Sequence, residues 1–277
     1  MKTTKLKIAA VLVVLMAIGY SFTSLGKITI KGSDTMVILS QQWAEVYMKK
    51  NPGTVIQVTG GGSGVGLAAL INGSTDIANS SRPIKPTELE KIKAKFGKNA
   101  IQIPCAKDGL SVFLNKGNKV SELTIAQIGA IFSGKITNWK QVGGDDAKIQ
   151  LYGRESSSGT FEFFKEHVVQ TDFAATCQTL PGTAAIINAV KKDKYSIGYG
   201  GAAYAEGVKD CKVKKDANSK GYLPTEANIK NKKYPIARYL FMYLTSKPTG
   251  ETKKFIDWIL SSEGQKIIAG VGYFPVK

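Results

Sequence analysis

The chain has 277 residues, 43% of them hydrophobic, with 38 Lys and Arg against 21 Asp and Glu, for a formal net charge of +17. That is enough apolar material for one large domain or two small ones, and the basic balance suits an anionic partner such as nucleic acid, an anionic membrane surface or a small anion. The lysines at Lys85, Lys91, Lys93, Lys95 and Lys98 are scattered without aromatics that would stack bases, which argues against nucleic acid, and a solvated basic surface is the plain alternative.

In chain order, Lys2, Lys5 and Lys7 precede an apolar run from Ile8 to about Tyr20, with Ser24 and Gly26 at a plausible cut. This reads as an export signal over residues 1–26, too short to span a bilayer comfortably and without a cysteine at the cut for a lipid anchor. KITIKGS then reads as a strand ending in a glycine turn. Helical spacing of Leu39, Trp43, Val46 and Tyr47 follows, broken by Pro52-Gly53. TVIQVTG is a β-branched strand, GGSG a loop, VGLAALING a helix, and TDIANSS a short strand running into a turn. Repetition of strand, loop and helix predicts a parallel α/β sheet, whose ligands bind in loops at the carboxyl ends of strands. Residues 102–114 are strand-like again, and Cys105 sits in that apolar run as a small hydrophobe. A helix-rich middle leads to LYGRESSSGT with FEFFKEHVV behind it, another strand, loop and helix. SIGYGGAAY is a strand and turn, PIARYLFMYLTS a long strand, and TKKFIDWILSSEGQKIIAG a terminal helix before the tail. Whether Cys177 and Cys211 pair is left open by the sequence.

Four loops, each after a strand, hold the candidate chemistry: GSDTM, GGGSGVG, NSSRPI and GRESSSGT. Small hydroxyl residues at a helix start are ordinary caps when taken singly. Glycine and hydroxyl groups at helix N-termini also make anion sites, because free N–H groups point outward and the dipole favours negative charge. Together the loops offer Ser33, Thr35, Ser63, Ser81, Ser158 and Thr160 as hydroxyl donors, with Arg82 and Arg154 for charge and forked hydrogen bonding. Rival motifs fail. GGGSGVG lacks the Lys-Ser/Thr of a phosphate-binding P-loop and the third glycine of a dinucleotide fingerprint, and GRESSSGT is not a nucleophile elbow. The lone histidine, His167, reads as an ordinary helical residue, and one histidine with three dispersed cysteines gives no zinc site.

The ordered set GSDTM, GGGSG followed by DIANSSRP, AKDGLSV, LTIAQIGAIFSGKITNWKQVGG, GRESSSGT and IGYGGAAY resembles the periplasmic phosphate-binding proteins of bacterial phosphate ABC transporters, the PstS-like group of two-lobed substrate-binding proteins. The resemblance covers about residues 27–277. It implies a type II periplasmic-binding-protein fold, α/β, with two Rossmann-like lobes around a ligand cleft. The first lobe would comprise 27–107 and 235–277 and the second 108–234, with hinge strands crossing near 106–114 and 234–243. It implies a monomeric binder rather than an enzyme, without cofactor or metal, that delivers phosphate outside the cytoplasm to permease and ATPase subunits. Carried over, the ligand shell is Ser33, Asp34, Thr35, Ser63, Ser81, Arg82, Arg154, Ser158, Gly159 and Thr160. The family carries Asp where this chain has Ser81, an acceptor for the ligand's proton that rejects sulfate. Asp34 is the expected replacement, or else a helix cap. A binder of sulfate, tungstate or molybdate, or an exported hydrolase, remains the alternative.

Overall fold

The structure, a computed structural model, describes residues 26–276. Apart from Gly26, the expected export segment lies outside them. Strands β1 (Gly26–Gly32) and β2 (Thr54–Thr59) are separated by helix α1 (Val37–Lys50). Helix α2 (Ser63–Asn72) leads to β3 (Ile77–Ser80), and α3 (Pro86–Phe96) to the long strand β4 (Ile101–Leu114). The second half adds β5 (Glu122–Thr124), α4 (Ile125–Phe132), β6 (Gln150–Arg154), α5 (Gly159–Phe164), β7 (Gln178–Leu180), α6 (Gly182–Lys192) and β8 (Ser196–Gly201). After the short strands β9 (Lys209–Asp210) and β10 (Lys212–Lys214) come α7 (Glu226–Lys230), β11 (Ala237–Leu244), α8 (Gly250–Ile259) and α9 (Ser262–Val271). Among these no helix is long and apolar enough to cross a membrane.

The main sheet runs β2-β1-β3-β11-β4-β8-β6-β7. It is parallel at both ends, where β1 pairs with β2 and β3, and β6 with β7 and β8. It is antiparallel in the middle, where β11 pairs with both β3 and β4, and β4 with β8. The wholly parallel sheet expected from strand-loop-helix repetition is therefore interrupted by two strands that run between lobes. β4 divides its length: Ile101–Gly109 lies on β11, and Leu110–Leu114 on β8. The ladder slips between Leu240 and Phe241, opposite Pro104 and Cys105. Proline has no N–H to give the ladder, so a bulge there is the expected accommodation.

Each end of the sheet has its own core. Ile28, Leu39, Trp43, Met242, Phe255 and Ile268 pack in one, and Leu110, Ile128, Phe132, Trp139, Phe164 and Tyr199 in the other. The chain thus folds into two lobes joined by β4 and β11. Cys211 lies in the second core with Cys177 half-buried against it, both as free thiols. The single C-terminal helix expected from periodicity is two. Ser261 breaks it by accepting a hydrogen bond from Gly264 N–H, and α9 turns back onto α1.

Trp43 fixes that return: it is fully buried, and its indole N–H donates to Gly264 O at 2.8 Å. Trp43→Ala removes both the packing and the hydrogen bond, and denaturant unfolding should register a loss of about 3–5 kcal/mol. A loss below about 1 kcal/mol would mean that the terminal helices are not held by this contact.

Candidate functional site: an anion cleft between the lobes

The four loops follow the carboxyl ends of β1, β2, β3 and β6 and meet where the lobes face each other. The hydroxyls converge in a buried chain. Thr35 and Thr160 stand 2.8 Å apart across the cleft, and Ser81 Oγ is 3.5 Å from Thr160 and 3.3 Å from Ser63. Ser63 Oγ also accepts from Ser81 N–H at 3.0 Å. Thr35, Ser63, Ser81 and Thr160 are each fully buried. Three come from the first lobe and one from the second, so the cluster forms only when the lobes are closed. Ser158 caps α5, its hydroxyl accepting from Phe161 N–H. Ser33 is buried at the start of a single 3-10 turn, where its backbone N–H bonds to Asn79 O and its hydroxyl caps nothing.

Glycine makes the close approach possible. A Cβ on Gly159 would stand 2.3 Å from Ser63 Oγ and 2.9 Å from Ser81 Oγ. Gly62, at φ +95, faces Ser157 O, which a Cβ would approach to 2.5 Å. Next to it Gly64 N–H donates to that same Ser157 carbonyl at 2.9 Å, a main-chain bond between the lobes.

Arg154 ends β6 with its side chain 1% exposed. Its Nε and Nη2 grip Glu155, its Nη1 donates to Thr183 Oγ1 at 3.0 Å, and its Nη2 reaches Asp34 Oδ2 at 2.6 Å across the cleft. These bonds use four of the five guanidinium N–H donors, so one on Nη1 remains for an anion. Burial pushes the Glu155 carboxyl up, but hydrogen bonds and charge from Arg154 outweigh it and hold Glu155 below the usual carboxylate range. Tyr199, stacked on Phe164 at 3.9 Å, places its oxygen to accept from Arg154 N–H and so ties the loop to the second core.

Two expected ligand residues are otherwise engaged. Asp34 Oδ1 accepts from Gly61 N–H at 2.8 Å while Oδ2 holds Arg154, so both oxygens of the expected proton reader already have partners in the two lobes. Arg82 sends Nη1 and Nη2 to Glu88, both at 2.8 Å. Its Nε lies 2.9 Å from Glu162 Oε2 with the N–H off that line. Its guanidinium thus joins α3 to α5 by ion pairs instead of completing the hydroxyl cluster. His167, below this contact, stacks on Phe163 at 4.1 Å. Sequence reasoning missed Arg238 and Asp108, a buried pair on β11 and β4 whose arginine donates to Thr160 Oγ1. It also missed Tyr204 and Tyr273, whose hydroxyls donate to Asp34 O and Thr35 O. Asp108 and Tyr204 lie inside the AKDGLSV and IGYGGAAY motifs, which read only as strand and turn, and Arg238 and Tyr273 lie in segments that read as strand and tail.

Every arginine of the cleft is matched by carboxylates: Arg154 by Asp34 and Glu155, Arg82 by Glu88 and Glu162, Arg238 by Asp108. The cleft thus offers directed N–H and O–H groups instead of surplus positive charge. Among the described residues no group of His, Cys, Asp and Glu is arranged to hold a metal ion.

Residues 21–263 match the family model described as a PBP superfamily domain. The phosphate-binding protein PstS of Pseudomonas aeruginosa is 32% identical over 269 residues, covering 91% of this chain and 83% of that protein. PstS of Staphylococcus epidermidis is 36% identical over 246 residues, covering 85% and 74%. Among solved structures, a putative phosphate ABC transporter substrate-binding protein from Clostridium perfringens, with bound phosphate, superposes with a TM-score of 0.83 at 32% identity, covering 91% of this chain and all of that one. An ABC-type phosphate transport receptor from Vibrio cholerae gives 0.72 at 31% identity, covering 89% and 99%. With the two lobes, the crossing strands and the converging loops, these likenesses establish that the chain belongs to the PBP superfamily, within the family of the PstS phosphate-binding proteins.

Proposed function

We propose that this protein binds inorganic phosphate between its lobes outside the cytoplasm and hands it to the permease and ATPase subunits of an ABC transporter, without chemical turnover. The observation that carries the reading is the buried hydroxyl chain Thr35–Thr160–Ser81–Ser63, drawn from both lobes, with Thr160 in the same loop as Arg154 and its spare Nη1 N–H. A tetrahedral anion stripped of water needs many fixed donors, and these groups can turn toward one. The ligand shell comprises Thr35, Ser63, Ser81, Arg154, Ser158, Gly159 and Thr160, with Ser33 supplying backbone. Asp34 serves as the counter-charge that aims Arg154, and Arg82 as a tie between lobes. The lobes divide at 107/108 and 234/235, and the basic leading segment is an export signal. The relatives are named as binding proteins, and the cleft pairs no nucleophile with a base.

Phosphate at a thousandfold excess over Kd should stabilise the folded chain by roughly 4 kcal/mol, visible as a rise in melting temperature. Arg154→Ala should abolish most of that rise by costing on the order of 2–5 kcal/mol of binding. A melting curve that responds to sulfate or tungstate but not to phosphate would replace phosphate as the ligand.

Closure itself is testable at Gly159. A methyl group there enters the space of Ser63 Oγ only in the closed form. Gly159→Ala should therefore weaken phosphate binding by about 1–3 kcal/mol, roughly 5- to 150-fold, while leaving the melting temperature without phosphate nearly unchanged. Calorimetric affinity equal to that of the unmutated chain would show that the loops need not approach this closely.

A further inference from the structure

Asp108 and Arg238 stand directly opposite one another on β4 and β11, the two strands that join the lobes. Their side chains are 0% and 2% exposed. Arg238 gives Nε and Nη2 to the same carboxylate oxygen, Asp108 Oδ2, at 3.0 and 2.9 Å. Its Nη2 also donates to Thr160 Oγ1 at 2.9 Å, and its guanidinium lies 5.3 Å from the ring of Phe163, so it grips α5 at two points. Nη1 has no partner among the described residues, nor has Asp108 Oδ1. A buried ion pair left partly unsatisfied is weak support for stability, since a well-packed apolar pair is often as good or better. What the pair does control is a hydroxyl. Thr160 Oγ1 has a single proton. With Arg238 donating to its oxygen, that proton is left to face Thr35 and Ser81 on the other side of the cleft.

We propose that Arg238, braced by Asp108, is a positioning residue of the anion site: it holds the Thr160 hydroxyl as a donor toward the bound anion and couples the α5 loop to the hinge strands. This rests on the phosphate-binding reading above. A lysine presents no planar fork and cannot hold Asp108 and Thr160 in the same geometry, so the role is specific to arginine.

The test is a cycle on the full chain, read by calorimetric phosphate affinity and by melting temperature without phosphate. Arg238→Lys keeps a charge against Asp108 and should fold. The neutral replacement Asp108→Asn with Arg238→Gln avoids leaving either charge alone. Each should weaken phosphate binding about tenfold where Thr160 is present, and less than about twofold in a Thr160→Val background. Melting temperature without phosphate checks that each variant still folds, and its loss should be no greater in the Thr160→Val background, where the Arg238–Thr160 bond is already gone. An equal loss of affinity in the two backgrounds, or none in either, overturns the proposal while leaving phosphate binding intact. No phosphate binding by the unmutated chain removes the underlying reading and the proposal with it.

Discussion

A guanidinium that is almost fully buried cannot stand alone, and the organisation of this cleft follows from how Arg154 is satisfied. A charge taken out of water costs several kcal/mol unless it is paired and hydrogen-bonded. Arg154 finds Glu155 and Thr183 in its own lobe and Asp34 in the other. Its stability is thus greatest when the lobes are together, and closure completes the arginine's shell as it completes the hydroxyl chain. Asp34 depends in turn on Gly61 N–H and, through its carbonyl, on Tyr204. The arginine therefore stabilises the geometry of two loops and leaves one donor over for a ligand.

The sheet makes that geometry reproducible. Parallel β1, β2 and β3 deliver three loops to one side of the cleft, and β6 delivers the fourth from the other. Between them lie β11, β4 and β8, and the chain passes from lobe to lobe only along β4 and β11, two paired strands with a bulge at Pro104. A hinge of this kind absorbs rotation in few residues while both cores stay packed. The contacts spanning the cleft are polar: Thr35 with Thr160, Gly64 with Ser157, Asp34 with Arg154, Arg82 with Glu162. Polar contacts of this sort can exchange partners with water, which lets a binding protein open again.

Much of this was legible in the sequence, and the limits have physical causes. The strands and the four loops follow from β-branched runs ended by glycine and hydroxyl residues, and the order of those motifs carries the family resemblance. The antiparallel middle of the sheet was not legible, because PIARYLFMYL reads as a buried strand in either direction. The break at Ser261 was hidden inside a continuous helical period, since a serine cap and a serine on an exposed helical face look alike. Asp34 and Arg82 were assigned by position in a loop, but side-chain direction depends on partners far along the chain, Arg154 for one and Glu162 for the other. Asp108 and Arg238 lie 130 residues apart and meet only because β4 and β11 pair.

The strongly basic composition and the charge-balanced cleft act at different ranges. A net charge of +17 sets a field that draws anions over distances up to about a Debye length, roughly 8–10 Å in ordinary salt. Within the cleft that field gives way to fixed dipoles and single hydrogen bonds, with each arginine already matched by carboxylates. Charge then cannot separate hydrogen phosphate from sulfate, tungstate or molybdate, which are dianions too. Selectivity has to come from where donors and acceptors point. A hydroxyl can serve as either, so a shell of serines and threonines accepts any tetrahedral anion until some neighbour fixes its proton. Ser158 is fixed by Phe161 N–H and Thr160 by Arg238, each with its oxygen engaged as an acceptor. Both hydroxyls thereby present a fixed donor to an anion in the cleft, and the groups that fix them belong to the helix and the hinge instead of the loops that carry the recognisable motif.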